Sequence, residues 1–398
     1  MKNRHNAGMR KLARRSPAGA LAQALALGVA CVAGCSSSTH PTRPATGTGS
    51  VALSPSLQPE AVLRAMTVVA DWQLAHTSGY NPLDWLVAPF WAGVVSFAPL
   101  SPSSGTYLEA ARENGRRNAW QPGPTPFSAD DHAITQSYFM LYLLDGDPRL
   151  IAPSLARFDE MLRQPFDESL TFDHDTAERE WVWCDALFMA PPALALATRA
   201  TGDRRYADLM TRLWWKTTGF LYDGQEHLFY RDSRFFEGRE RNGAKVFWSR
   251  GNGWVLAGLA RVLQYLPEDY PERPRFVALF REMARKIATL QGPQGYWAAG
   301  LLDSDRWPAP ETSGTAFFTY ALAWGVNAGL LDRGSVEPVV RRGWAALISA
   351  IQPDGMLGYA QGPSDRPEET SPSHGEIYAT GAFLLAGTEV YRLGGRHE

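Results

Sequence analysis

An all-α fold, an (α/α)6 barrel of six helical hairpins, is what this sequence of 398 residues predicts. Three observations carry that expectation. From about residue 57 onward apolar residues recur at helical spacing, and no run alternates as a half-buried strand would. Helix-stop and helix-start signals recur as near copies of one another. The hairpins repeat at roughly fifty residues, which suits a closed double ring of helices better than an open solenoid.

In chain order the periodic segments lie near 58–76, 84–100, 104–117, 131–145, 148–163, 182–201, 203–218, 252–266, 272–290, 313–330, 334–351 and 376–394. Two of the junctions between them are explicit: Leu144-Asp145-Gly146-Asp147-Pro148-Arg149 and Ala200-Thr201-Gly202-Asp203-Arg204-Arg205. In each, the glycine suits a left-handed helix end and the following aspartate caps the next helix, while Pro148 fits a first helical turn. The longer connections precede the even-numbered helices and hold the unusual sequence. They include Tyr80 to Trp85, Ser128 to His132, Glu180 to Asp185, Phe247 to Trp254, Glu311 to Thr315 and Ser373 to Glu376. Each opens an inner helix pointing the same way, so these segments are expected at one mouth of the barrel, where a concave aromatic site suits a saccharide.

Residues 1–35 read as an export signal rather than as fold. Lys2, Arg4, Arg10, Lys11, Arg14 and Arg15 precede an apolar stretch from Ala18 to Ala33, which ends in Val32-Ala33-Gly34-Cys35. This resembles a bacterial lipoprotein signal, with Cys35 as the lipidated first residue of an exported, membrane-anchored protein. Residues 36–56, rich in Ser, Thr, Pro and Gly, read as a flexible linker, and 57–398 as the catalytic domain. Of three cysteines only Cys184 then remains, so no intramolecular disulfide is expected. The formal net charge of −2 argues against a nucleic-acid partner.

Asp185 is the most informative position. It stands inside Glu180-Trp-Val-Trp-Cys-Asp185-Ala-Leu-Phe-Met-Ala-Pro-Pro, where burial either demands hydrogen-bond partners or keeps the proton on the carboxyl, the state a general acid needs. The plain alternative is a helix-capping aspartate. Asp130-Asp131-His132 reads as a doubled cap or as a second carboxylate facing Asp185, and paired carboxylates push their proton affinities apart. In Phe247-Trp248-Ser249-Arg250-Gly-Asn252-Gly-Trp254, the Arg250 fork suits a sugar carboxylate and Trp248 or Trp254 a ring face, against a bland turn with Asn252 as helix cap. Glu311-Thr-Ser-Gly-Thr315 looks like a helix start in which Ser or Thr caps. No metal-ligand spacing and no phosphate loop is found, so neither metal nor cofactor is expected.

Together, Trp183-Cys-Asp185, Phe247-Trp-Ser-Arg250-Gly-Asn-Gly-Trp254, Gly295-Tyr-Trp297 and Glu311-Thr-Ser-Gly-Thr-Ala316 strongly resemble the unsaturated rhamnogalacturonyl hydrolases, glycoside hydrolase family 105, with family 88 as the sister group. The likeness spans about Asp130 to Tyr391. It implies an (α/α)6 barrel that removes a Δ4,5-unsaturated uronic acid from the non-reducing end of lyase-generated oligosaccharides. It further implies that Asp185 protonates the C4 to C5 double bond and helps water add at C5. The second family aspartate then falls on the Asp130-Asp131 pair, the substrate-binding arginine and tryptophan on Arg250 and Trp254, and the stacking residue on Trp183. His132 and Arg231 join them as expected substrate contacts. Where some members carry a histidine, this chain has Tyr230-Arg231-Asp232, a departure that bears on the leaving sugar. The rival possibilities are a hydrolase of glycosaminoglycan or ulvan fragments, an ordinary glycosidase or epimerase on the same scaffold, and a non-catalytic glycan-binding lipoprotein.

Overall fold

The computed structural model describes residues 53–395. The expected signal segment, Cys35 and most of the expected linker lie outside the described residues. Six helices form an outer layer: α1 (Pro59–Ala75), α3 (Ser104–Arg117), α5 (Ala152–Met161), α9 (Arg204–Leu221), α11 (Arg273–Thr289) and α13 (Arg333–Ser349). The inner ring is α2 (Ala88–Phe97), α4 (Thr135–Asp145), the pair α7 (Ala186–Met189) and α8 (Pro191–Thr201), α10 (Ser249–Tyr265), α12 (Thr312–Asn327) and α14 (Ile377–Gly394). Each inner helix packs on the next, and α14 packs back on α2 to close the ring. A single turn, α6 (His174–Ala177), lies in the connection before α7.

Sequence dictates which layer each helix joins. On α12 every residue from Thr312 to Val326 is buried, as expected of a helix that is apolar on all sides. By contrast α9 buries a stripe, with Tyr206, Met210, Leu213, Trp214, Thr217 and Leu221 inward and its charges outward. Each fully buried side chain the size of Phe317 or Leu322 stabilises the ring by about 2 kcal/mol relative to exposure. The repeated junctions fold as their residues dictate: Gly146 and Gly202 take φ of 72° and 77°. Asp147 and Asp203 accept the N–H of Arg149 and Arg205, each at 3.0 Å.

Several boundaries differ from expectation for identifiable reasons. Residues 182–201 are not one helix, because Pro191 and Pro192 bring no N–H to the backbone ladder and α8 restarts at Pro191. α10 begins at Ser249 rather than at 252, so Asn252 is not its cap; its side chain instead bonds Phe229 N at 2.8 Å and Phe229 O at 3.0 Å. That pairing holds a two-residue antiparallel ribbon, β1 (Tyr222–Asp223) with β2 (Leu228–Phe229), which the helical pattern did not suggest. At the start of α12 the cap is Glu311 itself, accepting Ser313 N and Gly314 N, not the hydroxyl residues that follow. No helix among the described residues is long and apolar enough to cross a membrane.

Candidate active site

Asp185 stands immediately before α7, a helix of a single turn, and its carboxyl makes no capping bond. The capping explanation therefore fails. What holds the turn is visible one layer down. Because Pro191 and Pro192 cannot donate, the carbonyls at the end of α7 need other partners. Gln136 on α4 supplies them, its amide donating to Phe188 O at 2.8 Å and Met189 O at 3.1 Å. The buried Arg261 of α10 in turn donates to Gln136 Oε1 at 2.7 Å, fixing the amide. On the other side Gly258 lets α10 close on the turn, since a Cβ there would lie 2.3 Å from Leu187 O. The two prolines thus open the backbone, and α4 and α10 lock the opened turn that carries Asp185.

Asp185 is 8% exposed. Burial raises its pKa, against the opposing pull of Arg231 and then Arg250. Its contacts stabilise the carboxylate only weakly: Cys184 Sγ donates at 3.5 Å, and Arg231 Nε stands 3.5 Å from Oδ2, too far for a strong charge-assisted bond. Cys184 N also donates to Arg231 O at 2.8 Å, so the segment that carries the arginine is pinned to the turn that carries the acid.

The adjacent acids Asp130 and Asp131 have different fates. The pair lies in a single turn of 3-10 helix, Asp130–His132, just ahead of α4. Asp131 accepts Thr125 N at 2.7 Å and so holds the preceding loop. No described residue donates to the carboxyl of Asp130. Burial first, and the nearby charge of Asp185 second, push its pKa up to about 7, with Arg231 pulling the other way. Two carboxyls within electrostatic reach, both holding protons more firmly than usual, are what a proton-transfer site requires. Of the sequence-derived pair, Asp130 joins the site and Asp131 supports it. His132, expected at the substrate, is fully buried edge-on to Phe158, with ring centroids 5.5 Å apart. Burial pushes its pKa down to about 3, so it stays neutral within the fold.

The segment 247–254 also departs from expectation. Arg250 is 1% exposed, and its fork is already occupied: Nη1 donates to Gln361 O at 2.6 Å and Tyr378 Oη at 2.8 Å, and Nη2 to Gly362 O at 2.9 Å and Ser364 O at 3.4 Å. It therefore clamps the connection before α14 and presents no open fork to a sugar carboxylate. Trp248 lies under that guanidinium, 4.4 Å from ring centroid to Arg250 Cζ, with its indole N–H on Gln361 Oε1 at 3.0 Å. Trp254 is 1% exposed, packed on Phe317 at 4.2 Å and Phe188 at 4.8 Å, so it forms the floor beneath α7 rather than a face for a sugar ring. Partly exposed rings nearby are Trp85, tilted on Tyr378 at 5.6 Å, and Phe172. Trp183 is 6% exposed, with Arg231 Cζ 6.0 Å from its ring centroid.

Arg231 is the cation that remains beside the acid. Its Nη1 donates to the buried Asp232 at 2.8 Å, while its Nε is buried without an acceptor. Asp232 and Gln136 escaped sequence reasoning. A lone amide inside the apolar run from Ile134 to Leu141 is the signal that would have found Gln136.

Comparison with known proteins agrees with this architecture. The model of Glycosyl Hydrolase Family 88 matches residues 60–394. The chain is similar to an unsaturated 3S-rhamnoglycuronyl hydrolase of Formosa agariphila, 39% identical over 339 residues, covering 82% of this chain and 90% of that protein. A protein of the same name from an Alteromonas species is 33% identical, covering 81% of this chain and 83% of the relative. Among solved structures, a family 88 glycosyl hydrolase from Bacteroides vulgatus superposes with a TM-score of 0.76 at 29% identity, covering 84% of this chain and 99% of that one. With its closed double ring and its buried acid at one mouth, the chain belongs to Glycosyl Hydrolase Family 88 and is a glycoside hydrolase.

Proposed function

We propose that the protein removes a Δ4,5-unsaturated uronic acid from the non-reducing end of lyase-generated oligosaccharides, and that the leaving sugar is a sulfated rhamnose. The observation that carries the first part is the buried carboxyl of Asp185, its pKa raised by burial, with Asp130 in electrostatic reach and Arg231 alongside. The names of the two relatives at 39% and 33% identity support the second. Asp185 gives its proton to C4 of the double bond. Water then adds its oxygen at C5 and returns a proton to the carboxylate, with Asp130 as the neighbouring acceptor. The hemiketal opens to a C5 ketone, and the hemiacetal left at C1 collapses to an aldehyde as the aglycone leaves as an alcohol; one water is consumed. Arg231, not Arg250, holds the uronate carboxylate, because the C5 carboxyl group must lie next to the acid that serves C4. The signal segment, with its Val32-Ala33-Gly34-Cys35 end, supports export with lipid on Cys35.

The test is loss of the ultraviolet absorbance of the conjugated double bond when the described domain meets lyase digests of sulfated rhamnose-containing glycans, rhamnogalacturonan and glycosaminoglycans. Wild type is expected to bleach the first most rapidly, and Asp185→Asn to bind but lose at least about a thousandfold in kcat. An Asp185→Asn enzyme with near-normal turnover refutes the assignment of the acid. Absence of bleaching on every digest would sink the hydrolase itself and favour a glycan-binding protein.

A further inference from the structure

The position of Asp185 is not set by its own carboxyl. That group has only weak contacts with Cys184 and Arg231, so the backbone of α7 must place it. Phe188 N donates to Asp185 O at 2.9 Å and ties the acid to the far end of the turn. At that end the helix is open. The N–H that would meet Phe188 O in an unbroken helix is missing at Pro192, and Ala193 N goes to Ala190 O at 3.0 Å instead of to Met189 O. The two carbonyls that Gln136 takes are therefore the two that the backbone leaves.

Arg261 decides which way the Gln136 amide points. Its Nε can only donate, so the amide oxygen must face it and the NH2 group must face the two carbonyls. Gln136 is 1% exposed and Arg261 0%, so neither side chain reaches a bound sugar. The guanidinium is also an odd occupant of the inner ring. No carboxylate of a described residue pairs with it; Nη2 has Met140 Sδ at 3.3 Å, and the Tyr265 ring centroid lies 5.7 Å from Cζ. A place near the C-terminal end of α10 favours a cation, but an apolar side chain there would avoid the desolvation of a buried charge altogether.

We propose that Gln136 and Arg261 are positioning residues for the protonation step: they hold the α7 turn so that the carboxyl of Asp185 meets C4 of the double bond. Three hydrogen bonds in series carry that constraint from α10 through α4 into the site: Arg261 Nε to Gln136 Oε1, Gln136 Nε2 to Phe188 O, and Phe188 N to Asp185 O. The buried charge thus serves the placement of the acid. A misplacement of about 1 Å at a reacting centre costs about a hundredfold in rate. The assignment rests on Asp185 being the acid proposed above. The charged and titratable groups that face its carboxyl are Arg231 after β2, Arg250 on α10, Asp130 ahead of α4 and Cys184 beside it, and all four remain in every variant of Gln136 and Arg261 below.

The experiment measures kcat and KM against pH on an unsaturated disaccharide. Gln136→Met keeps length and neutrality but cannot donate, and its kcat is expected to fall about a hundredfold with KM unchanged, because Arg231 and the outer rim are untouched. Water then reaches the Asp185 carboxyl more readily, burial raises its pKa less, and the alkaline limb of kcat moves to lower pH. Arg261→Met, which frees the amide to turn, is expected to lower kcat likewise, and Arg261→Lys, which can still donate to Gln136 Oε1, to recover most of it. In an Asp185→Asn background Gln136→Met is expected to cost little more, since both act on one step. Wild-type kcat in a folded Gln136→Met enzyme, or a full further hundredfold loss in the Asp185→Asn background, overturns the positioning role and leaves Asp185 as the acid. Near-normal turnover in Asp185→Asn alone overturns the acid and the positioning role together. If Gln136→Met does not fold, Gln136→Leu combined with Arg261→Met, which also removes the buried charge, takes its place. A folded double variant with low kcat supports the positioning role, and one with wild-type kcat refutes it.

Discussion

Arg250 and Arg231 both pull on the proton of Asp185, yet they spend their terminal nitrogens differently. Arg250 gives both terminal nitrogens to the carbonyls of Gln361, Gly362 and Ser364 and to the Tyr378 hydroxyl, and keeps only a buried Nε without an acceptor. Arg231 has a buried Nε without an acceptor too, but of its terminal nitrogens it gives only Nη1, to Asp232, and no described residue accepts from its Nη2. The motif around Arg250 is the more conspicuous in the sequence, but the geometry makes Arg250 scaffold and Arg231 the cation available to a ligand. Proximity to the acid does not separate the two roles, and neither does the buried Nε; the terminal nitrogens do.

The difference is broken most directly by removing each guanidinium. Arg231→Ala is expected to lower kcat/KM about a thousandfold, as loss of a preorganised charge at a reacting centre does. Since Arg231 holds the pKa of Asp185 down, its loss raises that pKa further. The alkaline limb of the pH profile, where the acid loses its proton, then moves to higher pH. Residual activity with an unshifted limb would remove Arg231 from the site.

Arg250→Ala should read out first in stability. Buried carbonyls on the connection before α14 and the Tyr378 hydroxyl lose their donors together, at a cost of about 3 kcal/mol in denaturant unfolding. Arg250→Lys recovers little of that, because an ammonium cannot span the same acceptors. Should Arg250→Ala fold with wild-type stability and show only a raised KM, the assignments of the two arginines would have to be exchanged.

The double ring was legible in the sequence, because it rests on features that are local: apolar recurrence at helical spacing, the glycine and aspartate at residues 146–147 and 202–203, and all-apolar inner helices such as α12. Asp185 was legible for the same reason, as a carboxylate inside an apolar run. What was not legible depends on pairing between distant segments. Sequence shows a fork at Arg250 and an indole at Trp254, but not that residues 361–364 return to occupy the first or that Phe188 and Phe317 cover the second. Nor does Asp130-Asp131 reveal which carboxylate its own loop consumes; Thr125 N, behind it in the chain, makes that choice. The two prolines interrupt the helix after Asp185, and only the fold shows that Gln136, from another hairpin, repairs the break.

The smallest expected effect separates the two adjacent acids by the donors that each carboxyl receives. The pKa of Asp130 in the folded protein, about 7, lies above its ordinary 3.8, so folding favours its protonated form. The resulting stability is fully present below about pH 4 and is lost as pH rises through about 7, where the folded protein must carry the charge. Asp130→Asn removes the titration, so unfolding free energy is expected to fall less steeply between about pH 4 and 7 than in wild type. Asp131→Asn should instead lower stability at every pH in that window, by about 1 kcal/mol, because an amide oxygen accepts Thr125 N less strongly than a carboxylate. Interchanged results, with Asp131 governing the slope and Asp130 a uniform offset, would place the second carboxylate of the site on Asp131 and return Asp130 to the scaffold.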